Sequence, residues 1–323
     1  MLMPTWTPPP YADPTTFTER DLTLNATALP SAVTRPETPA RPDAVTGTST
    51  VPGTLTLPNR GQRTGVVLLP GAGPFDRDGS SGPNKPMKDL AWGLASQGIA
   101  VLRYDKPTAN RPEAMLDPGY TMTADYVPHG KAAVRALAEY VDRIVLIGHS
   151  MGGKVAPKIA TDEPLVAGVV IMAGDTQPMH HAAVRVMRYL AETSPEAVPP
   201  GTIELFQRQA AAVDSPDLSP ETTDLPFGLP ASFWLDLRTY DQVATAAKLD
   251  VPILILQGGR DYQVTVADDL PAWRTGVPNA TVTVLDADNH LFFPGTGPST
   301  PADYQTEGHL DPEAITTILN WLP

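Results

Sequence analysis

The run Ile144-Val-Leu-Ile-Gly148-His149-Ser150-Met151-Gly152-Gly153 constrains this chain more than any other stretch. A short apolar segment ends in Gly-x-Ser-x-Gly, and a helix-compatible segment from Lys154 to Ala160 follows. That pattern predicts a strand, a sharp turn and a helix, with Ser150 at the apex. Glycines at 148 and 152 leave room for a turn that a Cβ would obstruct, and the apex residue is forced into a strained backbone that lifts its hydroxyl clear of the sheet. The helix N-terminus beside it offers unpaired N–H groups and a positive dipole end, which stabilise an alkoxide or oxyanion. A serine so placed is suited to attack a carbonyl. The same five letters also occur by chance in glycine turns, so the flanking strand and helix are what give the motif meaning.

On a sheet of this kind the chain order is nucleophile, acid, histidine. The chain has six histidines: His129, His149, His180, His181, His290 and His309. The first two do not follow the serine, and His180 and His181 follow it too soon for another strand to intervene. His290 lies after the strand-like run Ala280–Leu285, where a general base can reach Ser150. His309 is the fallback, in a polar segment before the last helix. The acid is expected just past the buried run Pro252–Gln257, in Gly258-Gly-Arg-Asp261. There a carboxylate can accept the imidazole N–H and fix its tautomer. Asp286 and Asp288 are nearer His290 in sequence but leave their strand at the wrong point. The bland alternatives are a loop histidine packed by Phe292 and Phe293, and an aspartate that only forms a turn.

Acyl transfer needs two oxyanion donors. The N–H of Met151 is one candidate. Gly65-Val-Val-Leu-Leu-Pro70 followed by Gly71-Ala72-Gly73 suggests the second, the N–H of Ala72, with Gly71 and Gly73 shaping the loop and His149 beside the substrate. With these residues in place the chain resembles the α/β-hydrolase superfamily over about residues 51–323. The blocks Leu69-Pro-Gly-Ala-Gly-Pro-Phe-Asp76-Arg77-Asp78, Gly82-Pro-Asn84-Lys85-Pro-Met-Lys-Asp89 and Gly98-Ile-Ala-Val-Leu-Arg103-Tyr-Asp105-Lys106 resemble one group of bacterial carboxylesterases with a Gly-His-Ser-Met-Gly-Gly elbow. The resemblance implies a mostly parallel central sheet flanked by helices and an esterase for short acyl esters. The group normally has histidine where this chain has Pro70, and often arginine where it has Pro107. Related chains often carry an extra N-terminal module, which this one is expected to lack.

Composition agrees. A chain of 323 residues with 41% hydrophobic content can bury one large α/β core plus a cap. The absence of cysteine excludes disulfides, thiol catalysis and cysteine metal sites. A formal charge of -13 argues against nucleic acid or an anionic membrane as partner. No apolar run approaches a membrane span, and the start Met1-Leu-Met-Pro-Thr-Trp lacks a basic region and an apolar core, so a cytoplasmic location is expected. The reading calls for no metal or organic cofactor and for a small-molecule ester as the binding partner. It leaves oligomeric state open.

Three parts are expected. Residues 1–50 carry a strand, Thr16–Leu24, and a Pro/Thr-rich flexible loop at 26–50, which with Gly53–Leu57 makes a hairpin-like extension packed on the core. The hydrolase core spans 51–174 and 248–323, with strands near 65–69, 99–103, 143–147, 168–172, 252–257 and 281–285. Helices Pro86–Gln97 and Pro128–Tyr140 each open on a proline. The interval 175–247 is read as a helical cap with helices at Met179–Glu192, Thr202–Val213 and Ala231–Leu237. Its Phe233 and Trp234 are candidates to line an acyl pocket, against the commoner role of binding cap to base. Arg77, Asp78, Asn84, Lys85, Arg103 and Asp105 are expected to form mainly a structural hydrogen-bond network. The favoured chemistry is ester hydrolysis through Ser150, His290 and Asp261. An acyltransferase, a thioesterase or a serine peptidase can use the same set, and an inactive ligand-binding scaffold is the alternative outside enzymes.

Overall fold

The computed structural model of the chain describes residues 6–27, 48–60 and 63–323. Among these, eight strands form one sheet: β1 (Phe17–Thr27), β2 (Thr48–Pro58), β3 (Thr64–Leu69), β4 (Ala100–Tyr104), β5 (Arg143–His149), β6 (Val166–Met172), β7 (Ile253–Gly258) and β8 (Thr281–Leu285). Their spatial order is β1-β2-β4-β3-β5-β6-β7-β8. All pairings from β4 to β8 are parallel, while β1 and β2 pair antiparallel as a hairpin whose second strand runs antiparallel along β4. Strands β3 to β7 read Val, Ile and Leu without alternation because helices cover both faces of the sheet. Val67, Leu69, Leu146 and Ile171 point into one apolar layer; Val66, Leu68, Val145 and Val170 point into the other.

The helices are α1 (Pro86–Ser96), α2 (Met122–Leu137), α3 (Met151–Thr161), α4 (Met179–Thr193), α5 (Thr202–Asp214), α6 (Ala231–Arg238), α7 (Gln242–Ala246), α8 (Leu270–Gly276) and α9 (Pro312–Trp321). Helix α1 opens on Pro86 as expected. Helix α2 does not open on Pro128. It begins six residues earlier, where the Thr121 side chain accepts the Ala124 N–H, and Pro128 lies inside it. A side-chain cap outweighed the proline signal, at the cost of one ladder hydrogen bond. The interval 175–247 carries α4, α5 and α6 close to the expected bounds, and also α7, too short to leave a periodic trace. Of the expected flexible loop at 26–50, residues 28–47 lie outside the described residues. Its two ends belong instead to β1, which runs three residues past the expected Leu24, and to β2, which begins five residues before the expected Gly53.

The polar set expected as a network ties the hairpin to the sheet. Arg103 on β4 donates to Glu19 on β1 at 2.8 Å and to Asp78 at 3.0 Å, and Lys85 reaches the other Asp78 oxygen at 2.8 Å. Burial pushes the Asp78 carboxyl up, but Arg103 and Lys85 outweigh it and hold it below the usual carboxylate range. Arg77 forks onto Asp105 at 2.9 and 3.2 Å and reaches Thr54 on β2. Asn84 donates to the carbonyls of Tyr304 and Thr306 and accepts from Gly308 N–H, joining two loops more than two hundred residues apart.

Candidate active site

Strand β5 delivers Ser150 to the carboxyl edge of the sheet, and α3 leaves immediately after it. Ser150 has φ 55° and ψ -120°. That region is sparsely populated by residues with a side chain and persists only where surrounding packing enforces it. The packing is visible at the two flanking glycines. A Cβ on Gly148 would strike the backbone of Gly152 and Gly153, and a Cβ on Gly152 would strike the carbonyls of Leu69 and Pro70 at the end of β3. The turn is thus wedged between its own helix and the neighbouring strand. Ser150 N–H donates to the Met172 carbonyl at 2.8 Å, and its carbonyl accepts the Lys154 N–H at 3.0 Å, the first rung of α3.

The structure brings His290 and Asp261 together. His290 Nδ1 lies 2.7 Å from Asp261 Oδ2, and both side chains are buried. The other Asp261 oxygen accepts the Gln263 and Val264 N–H groups at 2.8 and 3.0 Å, and Gln257 Nε2 donates to Oδ2 at 3.3 Å. Four donors thereby fix the carboxylate, so His290 carries its proton on Nδ1 and turns its Nε2 edge outward. The fallback His309 instead contacts Asp89 on α1 at 3.2 Å. Among the described residues no hydrogen bond joins Ser150 to His290. Both line one cavity of about 260 Å³ with Gly71, Ala72, Phe75, Ser81, His149, Gln263, Leu291 and Tyr304. Contacts of this type in a ligand-free site are commonly long and tighten with substrate.

His149, one residue before the serine, braces the histidine loop. Burial, then the neighbouring His290, push its pKa down to about 3. It is therefore neutral, and its Nε2–H donates to the His290 carbonyl at 2.7 Å. The N–H groups of Met151 and Ala72 have no intramolecular acceptor among the described residues. Gly73 does not line the cavity. Its φ of 105° and its carbonyl serve the loop's shape instead.

Sequence reasoning gave no role to Lys106, Tyr126 and Asp125. Tyr126 O–H donates to the Gly71 carbonyl at 2.6 Å; Lys106 Nζ donates to the Gly73 carbonyl at 2.9 Å and pairs with Asp125 at 2.8 Å. The Lys106 and Asp125 side chains are almost wholly buried. This group holds the 71–73 loop. The only local signal was Lys106 closing the Arg103-Tyr-Asp-Lys block, because its partners come from a distant helix.

Phe233 and Trp234 are not brought to this cavity. Phe233 stacks on Tyr120 at 5.7 Å, and fully buried Trp234 packs edge-on to His180 at 5.8 Å. Trp234 lines a separate cavity of about 490 Å³ between α3, α4, α6 and α7. The helical periodicity that marked these rings as apolar could not say which cavity they face.

The sheet order agrees with the comparisons. The pattern of the alpha/beta hydrolase family matches residues 66–304, and the chain belongs to that family. It is 33% identical over 320 residues to the esterase EstD of Thermotoga maritima, spanning 97% of this chain and 69% of that one. The Pyrococcus furiosus esterase Pf2001 superposes with a TM-score of 0.54 at 17% identity, covering 95% of this chain and 92% of its own. Est1E from Butyrivibrio proteoclasticus gives 0.53 at 14% identity, covering 84% and 93%. At those identities the two structures speak to the fold alone.

A titration separates the histidine loop from its surroundings. Asp288, two residues before His290, is fully buried, and burial, then the Asp311 carboxylate, push its pKa up to about 8. A raised folded-state pKa gives stability that is complete below the unfolded value of 3.8 and is lost as pH rises through about 8. Asp288→Asn is therefore expected to remove a decline in unfolding free energy that the parent shows between about pH 5 and about pH 8.5. Urea unfolding across that range checks this; a parent-like decline in the variant would mean another group is responsible.

Proposed function

We propose that this chain hydrolyses carboxylic esters of small molecules through a covalent acyl-enzyme. The observation that carries the proposal is one convergence: Ser150 on a strained turn and His290, bonded to buried Asp261, meet at one cavity with Ala72. The esterase EstD, similar over almost the whole chain, supports the same reaction class.

Ser150 Oγ attacks the ester carbonyl while His290 Nε2 takes its proton. Asp261 stabilises the imidazolium without accepting that proton. The Met151 and Ala72 N–H groups stabilise the tetrahedral oxyanion. His290 then returns the proton to the alcohol oxygen as the C–O bond breaks. A water, deprotonated by His290, attacks the acyl carbonyl and releases the acid with Ser150 restored. No step calls for a metal or organic cofactor. A cavity of about 260 Å³, walled by Phe75, Leu291 and Tyr304, is small beside typical drug-sized pockets and favours short acyl groups.

Ser150→Ala is expected to lower hydrolysis of a p-nitrophenyl acetate or butyrate by about 10³-fold or more with an unchanged unfolding midpoint. Activity within tenfold of the parent would reject Ser150 as nucleophile. Tyr126→Phe removes the donor to the Gly71 carbonyl and, with it, an acceptor of the Lys106 ammonium at 3.0 Å. It should reduce kcat on the order of tenfold with little change in KM, and cost about 1 kcal/mol of stability. Steady-state kinetics on the same ester decide it. An unaltered kcat would detach the Tyr126 contact from oxyanion-loop geometry.

A further inference from the structure

Two consecutive histidines that the ester chemistry does not use converge on one carboxylate. His180 and His181 open α4, and Asp214 closes α5, 34 and 33 residues later. His180 Nε2 lies 2.9 Å from Asp214 Oδ1; His181 Nε2 lies 3.0 Å from Oδ2 and 3.2 Å from Oδ1. Adjacent residues on a helix point about 100° apart, so most such pairs diverge. Here the ring centroids are only 4.4 Å apart, and one ligand atom from each of the three residues falls within 4.8 Å of the others.

We infer that His180, His181 and Asp214 form a binding site for a divalent transition-metal ion of the zinc type, which would staple α4 to α5. Imidazole nitrogen and carboxylate oxygen are the donors such ions prefer, at about 2.0–2.2 Å. A tetrahedral ion at that range sets its donors about 3.3 Å apart. The nitrogen-to-oxygen separations already present, 2.9 to 3.2 Å, need only small adjustment. Each imidazole must present Nε2 as a lone pair, with its proton on Nδ1.

The exposure is graded as an open site requires. His180 is buried and perpendicular to the Trp234 ring, while His181 and Asp214 are each half-exposed, leaving the fourth position to water. His180 and Asp214 also stand in the wall of the 490 Å³ cavity, which shares no lining residue with the Ser150 cavity. The ion is therefore a brace of the 175–247 segment and not a participant in ester cleavage. The chain has no cysteine to compete for it.

The test uses the untagged full-length chain and Zn²⁺, with Mg²⁺ as the hard-cation control. Calorimetry should give one Zn²⁺ per chain, and Zn²⁺ at about a hundredfold its Kd should raise Tm on the order of 5 °C, with no response to Mg²⁺. His181→Ala, at a half-exposed position, should fold, keep parental ester hydrolysis and weaken Zn²⁺ binding about a hundredfold; Asp214→Asn should do the same to binding. His290→Ala should bind Zn²⁺ like the parent. The inference is overturned if the parent shows no saturable binding, which would leave a plain hydrogen-bonded clamp. It is equally overturned if His181→Ala and Asp214→Asn bind like the parent, or if His290→Ala alone abolishes binding.

Discussion

The rest of the site depends on the contact between the first turn of α3 and the ends of β3 and β5. Gly148 lies against Gly152 and Gly153, and Gly152 lies against the Leu69 and Pro70 carbonyls, with no room for a Cβ at either position. That closeness forces the backbone of Ser150 to positive φ, since a relaxed turn would need the helix to start further from the sheet. The same closeness brings the loop after β3 beside the serine: a Cβ added to Gly71 would meet the Ser150 Cβ at van der Waals distance. Strain at Ser150 and the placing of the 71–73 loop beside it are thus two results of one packing constraint.

Buried polar contacts hold the parts that this contact does not reach. Asp261 is saturated by two backbone amides and Gln257, so the imidazole it holds has a single orientation. His149 couples the serine turn to the histidine loop through the His290 carbonyl, and its burial keeps it from becoming a competing cation. Lys106, Tyr126 and Asp125 do the corresponding work for the loop at 71–73. Each of these groups is buried, and the contacts from His149 to His290, from His290 to Asp261 and from Tyr126 to Gly71 join elements distant in sequence. That is the arrangement expected where low dielectric makes an unpaired polar atom costly.

The parallel sheet was legible because buried strands of Val, Ile and Leu repeat at βα spacing, and Gly-x-Ser-x-Gly fixed which strand carries the serine. Chain order was enough to select His290 and Asp261 over His309 and Asp288, and the structure pairs the first two while His309 goes to Asp89. Helix α2 was misplaced because Pro128 is a strong local signal and the Thr121 cap a weak one. The aromatic rings of α6 were recognised as apolar, but that Phe233 stacks on Tyr120 and Trp234 lines the cavity away from Ser150 was not legible, since periodicity gives a face and not its neighbour. The support of the 71–73 loop by Lys106 and the meeting of His180 and His181 with Asp214 depend on contacts that no local pattern encodes.

The central claim is that the strained serine becomes covalently acylated. A serine-directed fluorophosphonate, followed by intact-mass and peptide-level mass spectrometry, tests it most directly. One adduct per chain, confined to the peptide that carries Ser150, is the predicted result, with loss of ester hydrolysis in proportion to labelling. An adduct on any other residue, or full hydrolysis in protein labelled stoichiometrically at Ser150, would contradict the account.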